Sequence, residues 1–207
     1  SAPGVKPYLP DPADYPDAPE GAVIKPGEVR DLSERRQPDG RLCWEVPAGH
    51  WTLMRLGRRN NGATTRPAPQ PGLGFECDKL DATALDAHFE AYVGKLLKKV
   101  GPRQEGRGWT MLHIDSWEMG AQNWTGRFRE EFHRRRGYDV LPFLPVYTGR
   151  IVGSLEISER FLGDVRLTAQ ELVIEHHAEH LKKLGRRHGF GLSIEPYDMN
   201  PTSDLDL

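Results

Sequence analysis

Two stretches of this 207-residue chain place acids just after short apolar runs. The first is His113-Ile114-Asp115-Ser116-Trp117-Glu118, followed by Gly120 and Asn123-Trp124-Thr125. The second is Ser193-Ile194-Glu195-Pro196-Tyr197-Asp198. Carboxylates serve as general acids and bases, and indole faces stack on sugar rings, so this pairing suits carbohydrate chemistry. Glu118 and Glu195 are the candidate catalytic pair, after separate strands that would open on one mouth. The bland alternative has Asp115 capping backbone amides, Trp117 packing in a core, and Glu195 and Asp198 as solvated loop acids.

Two weaker constellations accompany them. Phe75-Glu76-Cys77-Asp78-Lys79, with Arg66 and Asn60-Asn61 nearby, could hold sugar hydroxyls or a hard cation. A solvated charged turn is the simpler reading there. His176 and His180 lie four apart, with Glu175 beside them, and would share a helix face as in a zinc site. The residue after His176 is His177, so the His-Glu-x-x-His pattern is absent, and a helix flank is favoured over a metallohydrolase.

The elements that must position these residues are legible in outline. Residues 1 to about 28 carry Pro3, Pro7, Pro10, Pro12, Pro16, Pro19 and Pro26, and read as an extended arm. Arg41 to Val46 and Trp51 to Arg55 alternate in polarity around Pro47-Ala48-Gly49, which predicts an antiparallel hairpin. Asn60 to Gly74 is rich in turn residues, and Phe75 to Asp78 reads as a brief strand. Asp81 caps a helix whose apolar residues Leu85, Phe89, Val93, Leu96 and Val100 recur at helical spacing up to Gly101-Pro102. Trp109 to Ile114 is a strand. A helix capped at Thr125 carries Phe128 and Phe132 and stops at Gly137 after three arginines. A long helix covers roughly Ser158 to Arg187, with Phe161, Leu162, Val165, Ala169, Leu172, His176 and Leu184 near one face. Leu192 to Ile194 is the next strand.

From residue 75 the order is strand, helix, strand, helices, strand. Such alternation implies a parallel sheet with right-handed crossovers. The expected fold class is α/β: part of a (β/α)8 barrel of the TIM type, preceded by a short β-rich segment and the Pro-rich N-terminal arm. The boundary falls near residue 58, with 1–58 as arm and hairpin and 59–207 as the N-terminal part of the barrel. Barrel active sites gather at strand C-terminal ends, where both acidic stretches fall. With 28 basic and 30 acidic residues, charge gives no case for nucleic-acid affinity. No apolar run reaches the ~20 residues of a membrane span, no signal peptide is visible, and no Gly-rich phosphate loop suggests a nucleotide. Cys43 and Cys77 match no zinc spacing; two buried small hydrophobes are expected, with a disulfide as the alternative.

The chain resembles the bacterial α-L-rhamnosidases of glycoside hydrolase family 106 from about Asp31 onward. The resemblance rests on an ordered run of motifs. These are Asp39-Gly40-Arg41-Leu42-x-Trp44-x-Val46-Pro47-Ala48-Gly49-x-Trp51-Thr52, Arg66-Pro67-Ala68-Pro69 and Gly74-x-Glu76-x-Asp78-Lys79-Leu80. Asp115-Ser116-Trp117-Glu118-x-Gly120-Ala121-Gln122-Asn123-Trp124-Thr125, Arg135-Arg136-Gly137-Tyr138-Asp139 and Ser193-Ile194-Glu195-Pro196-Tyr197-Asp198 follow. It implies a large multidomain enzyme with a catalytic barrel, inverting hydrolysis of terminal α-L-rhamnosyl groups, a calcium ion at the active site and a secreted or periplasmic setting. No organic cofactor is implied. On that resemblance Glu118 is a catalytic carboxylate. Glu195 is its partner or, with Asp198, a calcium or sugar ligand. Asp115, Trp117, Asn123, Trp124, Tyr197, Asp198 and Arg66 are expected to bind substrate. Arg66 stands where the family often has His. The family pattern continues past Leu207 to a further strand-end Glu, so this chain alone is expected to depend on the remaining domains of its parent for activity. The rival from another class is a non-catalytic carbohydrate-binding fragment.

Overall fold

The computed structural model describes residues 17–19, 21–60, 62, 64–65, 68–102, 104, 108–115 and 122–195. Most of the Pro-rich arm lies outside them. In chain order the elements begin with strand β1 (Val23–Ile24) and helix α1 (Ala82–Phe89). A π-turn (Glu90–Gly94) carries α1 into α2 (Lys95–Val100). Strand β2 (Met111–Ile114), helix α3 (Phe128–Arg136) and a 3-10 helix (Leu141–Thr148) follow. Then come β3 (Ile151–Val152), α4 (Leu155–Val173), a second π-turn (Ile174–Glu179), α5 (His180–Arg187) and β4 (Gly191–Ile194).

The chain forms two compact units. One comprises residues 1–57 and 129–165, the other 58–128 and 166–207. In the first, β1 pairs in parallel with β3, Val23 beside Ile151 and Ile24 beside Val152. Its core is aromatic: Phe132 meets Tyr138 edge-on at 4.9 Å and Phe161 at 5.9 Å, and Phe143 stacks on Phe161 at 5.5 Å. Arg129 grips Asp139 through two hydrogen bonds of 2.9 and 2.7 Å and reaches Asp31 at 3.4 Å. This bidentate geometry holds the Asp139 carboxyl below its ordinary range. Helix α3 stops where expected, at Gly137, whose φ of +81° a residue with Cβ adopts only at a cost.

The predicted hairpin is absent among the described residues. Arg41 to Val46 and Trp51 to Arg55 run as extended chain without strand pairing, apart from one antiparallel bridge between Arg36 and Leu42. Trp44 and Trp51 instead meet edge to face at 5.2 Å, and the Arg30 guanidinium lies 4.8 Å from the Trp51 ring centroid. Alternating polarity marks a face but supplies no partner strand. Phe75 to Asp78 likewise forms no strand. Cys43 is exposed rather than buried, and both cysteines are free thiols.

The second unit packs helices on one face of a parallel strand pair. Asp81 caps α1 as expected, accepting from the Thr83 amide at 2.9 Å. Leu85, Phe89, Val93, Leu184 and Phe190 form a buried cluster with Leu112 of β2, against which Cys77, Leu97, Trp109, Leu181 and Leu192 pack. Gly185 of α5 permits this closeness: a Cβ there would lie 3.0 Å from Leu112 Cδ1. No helix among the described residues is long and apolar enough to cross a membrane.

Candidate active site

Strands β2 and β4 set the site. They run parallel in the register Met111–Gly191, Leu112–Leu192, His113–Ser193 and Ile114–Ile194. The Glu195 amide continues the ladder, donating to the Ile114 carbonyl at 2.9 Å. Asp115 and Glu195 therefore stand side by side, each one step past the C-terminal end of its strand. Side chains alternate along a strand, so Leu112 points into the helix-packed core while Met111, His113 and Asp115 share the opposite face. Leu112 is 5% exposed and Met111 45%.

This placement gathers His113, Asp115 and Glu195. One donor atom from each lies within 4.8 Å of the others. The His113 Nε2 is 4.0 Å from a Glu195 oxygen, and both side chains are about half open to solvent. Two carboxylates and an imidazole so arranged can hold a cation or exchange protons with a ligand. Asp115 and Glu195 come together at the ends of adjacent strands. His113 was missed as a site residue, although its place two before Asp115 on a strand was the signal. Glu118, Trp117, Tyr197, Asp198 and Arg66 lie outside the described residues.

The segment Glu76 to Leu80 is an anchored loop rather than a solvated turn. Lys79 pairs with Glu76 while remaining only 12% exposed. One Asp78 oxygen accepts from the Leu80 amide at 2.9 Å, and the other from the buried Thr125 hydroxyl at 2.7 Å. The Lys79 amide donates to Gln122 Oε1 at 3.1 Å. These bonds tie the loop to the segment bearing Asn123 and Trp124. Asn123 is exposed; the Trp124 indole stacks on Phe128 at 4.6 Å, so one face of this expected sugar platform is already covered.

The His176/His180 pair is structural. His176 Nδ1 bonds the Leu80 carbonyl at 2.8 Å, and His180 Nε2 bonds Asp86 at 2.7 Å. Among the described residues neither joins a group of three metal-ligating side chains. His177 lies in the π-turn beside His176. Burial first, and Lys79 nearby, lower its pKa to about 4.

Comparison with known proteins gives this geometry a setting. The family profile described as alpha-L-rhamnosidase, glycoside hydrolase 106, matches residues 9–204. A protein of Formosa agariphila that carries the name beta-glucuronidase is 38% identical over 179 residues, covering 86% of this chain and 15% of its own length. The solved structure of a rhamnosidase from Novosphingobium sp. PP1Y superposes with a TM-score of 0.75 at 35% identity, covering 86% of this chain and 18% of the other. The chain thus spans less than a fifth of either. With the profile running over nearly every residue, the chain belongs to the α-L-rhamnosidase family, glycoside hydrolase 106.

Proposed function

We propose that this chain forms part of the active site of an α-L-rhamnosidase. Within a longer polypeptide it would supply the first strands of a (β/α)8 barrel and help hydrolyse terminal α-L-rhamnosyl groups with inversion. The observation that carries this reading is the convergence of Asp115, Glu195 and His113 at the C-terminal ends of adjacent parallel strands. Barrel enzymes carry out their chemistry at that edge.

An inverting acid and base stand ~6.5–9.5 Å apart, leaving room for water. One carboxylate oxygen of Asp115 lies within 4.8 Å of one of Glu195. In this reading Glu118 is the catalytic carboxylate, as the resemblance implies, and Asp115 and Glu195 orient the sugar. Their carboxylate oxygens are the hard donors that calcium takes, so they would hold the ion that the resemblance implies. When bound, calcium would supply positive charge for fixing sugar hydroxyls. General acid catalysis protonates the glycosidic oxygen while a base activates water on the opposite face of the ring.

A β-glucuronide is the competing substrate, motivated by the name of the Formosa relative. In the longer polypeptide, Glu118→Gln should abolish hydrolysis of an aryl α-L-rhamnoside while leaving circular dichroism unchanged. Near-normal kcat would sink the assignment, and turnover of an aryl β-D-glucuronide alone would favour the competitor. Sugar binding that survives Glu118→Ala, without turnover in any form, would point to a non-catalytic binding module.

A further inference from the structure

The loop Glu76 to Leu80 and the segment Gln122 to Thr125 are joined at two points, and Glu118 falls in sequence between Asp115 and that segment. We propose that Asp78, through the Thr125 hydroxyl, is a positioning residue for the hydrolysis: it fixes the far attachment of the stretch that carries Glu118. The role rests on the reading of Glu118 as the catalytic carboxylate and names what holds it in place.

The Asp78 carboxylate divides its oxygens between two segments. Oδ1 accepts from the Leu80 amide at 2.9 Å within its own loop, and Oδ2 accepts from the Thr125 hydroxyl at 2.7 Å, 47 residues on. A threonine at a helix start ordinarily turns its oxygen to the helix's own amides. Here the hydroxyl gives its proton to a carboxylate, a short charge-assisted bond. Thr125 is buried, so solvent has little access to that bond. The Lys79 amide, donating to Gln122 Oε1 at 3.1 Å, makes the second attachment. The loop is itself anchored: Leu80 is buried, its carbonyl is bonded by His176 Nδ1 at 2.8 Å, and Asp81 caps α1 directly after it. On the near side of Glu118 the chain is fixed by the β2–β4 ladder, where the Glu195 amide donates to the Ile114 carbonyl. Both attachments belong to the same compact unit. A catalytic carboxylate on a connecting stretch needs such supports, because a misplacement of about 1 Å costs on the order of a hundredfold in rate.

Rates of the longer polypeptide on an aryl α-L-rhamnoside with an activated leaving group test this. Thr125→Val keeps the shape and removes the hydroxyl; kcat should fall by about ten- to hundredfold, with KM changing far less. Thr125→Ser should restore the rate. Asp78→Ala should act like Thr125→Val. Asp78→Asn, which can accept from the Leu80 amide and donate to the Thr125 oxygen, should keep most of the activity. Ser158→Ala, which removes a buried hydroxyl from the other unit, controls for lost stability and should leave kcat unchanged. In a Glu118→Gln background, Thr125→Val should lower the residual rate no further, the signature of a residue acting through Glu118. A Thr125→Val kcat no lower than that of Ser158→Ala, or a full further loss in the Glu118→Gln background, would overturn the proposal. An inactive Glu118→Gln beside a normal Thr125→Val strikes only the positioning role; an active Glu118→Gln strikes the reading on which it rests.

Discussion

His177 shows how one residue's setting can outweigh its type. Its Nδ1 is buried without a hydrogen-bond partner among the described residues, and burial drives its pKa down to about 4. Lys79 and His88 push the same way, and Glu76 opposes them. The imidazole is therefore neutral in the fold at neutral pH. In the unfolded chain it titrates near ~6.5, so between about 6.5 and about 4 the unfolded state binds more protons. Stability should fall as pH drops through that window, by on the order of 1–3 kcal/mol from this residue. His177→Gln should flatten that fall in urea titrations across the window. An NMR midpoint for the imidazole near 6.5 would refute the argument. The same helix shows what sequence can miss: i, i+4 spacing put His176 and His180 on one face but could not reveal that Leu80 and Asp86 already engage them.

Among elements, the join between β3 and α4 is tied by a buried hydroxyl. Ser158 is 4% exposed; its oxygen accepts from the Val152 amide at 2.9 Å and donates to the Val152 carbonyl at 3.1 Å. Ser154 caps the same helix by accepting from the Ile157 amide. Ser158→Ala would leave the Val152 amide without this buried partner, while the Ser154 amide still donates to the Val152 carbonyl at 3.0 Å, costing ~1–3 kcal/mol. A lowered urea midpoint with an unchanged m-value should report this; a loss below a few tenths of a kcal/mol would mean that water replaces the hydroxyl. Elements whose signals are local were legible. Asp81, the 3.6-residue spacing of Leu85 and Phe89, and the stop at Gly137 each act within a turn or two of chain. The pairing of Asp115 with Glu195 was legible only as two strand ends, because register across 80 residues is set by packing on Leu112. The hairpin expected at residues 41–55 fails for the same reason. Leu42, Trp44 and Val46 alternate as a strand should, but no other described segment offers them a ladder beyond one bridge.

At the scale of the whole molecule, the unmatched faces carry the argument. Val46 is 63% exposed, Leu53 61%, Leu56 47% and Leu42 41%. Scattered exposed leucines are ordinary, but alternating apolar residues within one extended segment make the pattern of a strand face meant for burial. In the second unit, the β2–β4 pair covers one face with helices and leaves Met111 on the other 45% exposed, whereas parallel sheets are covered on both faces. The matched rhamnosidase and the Formosa relative extend far beyond the aligned region. In the longer polypeptide proposed above, Val46, Leu53 and Met111 should therefore be protected from hydroxyl-radical labelling relative to the 207-residue chain alone. The short chain should also enhance the fluorescence of an apolar dye, and Val46→Ser with Leu53→Ser should reduce that enhancement. Equal labelling of these residues in both lengths would mean that the alternation serves no buried sheet, and that the two units carry their exposed faces into the working enzyme.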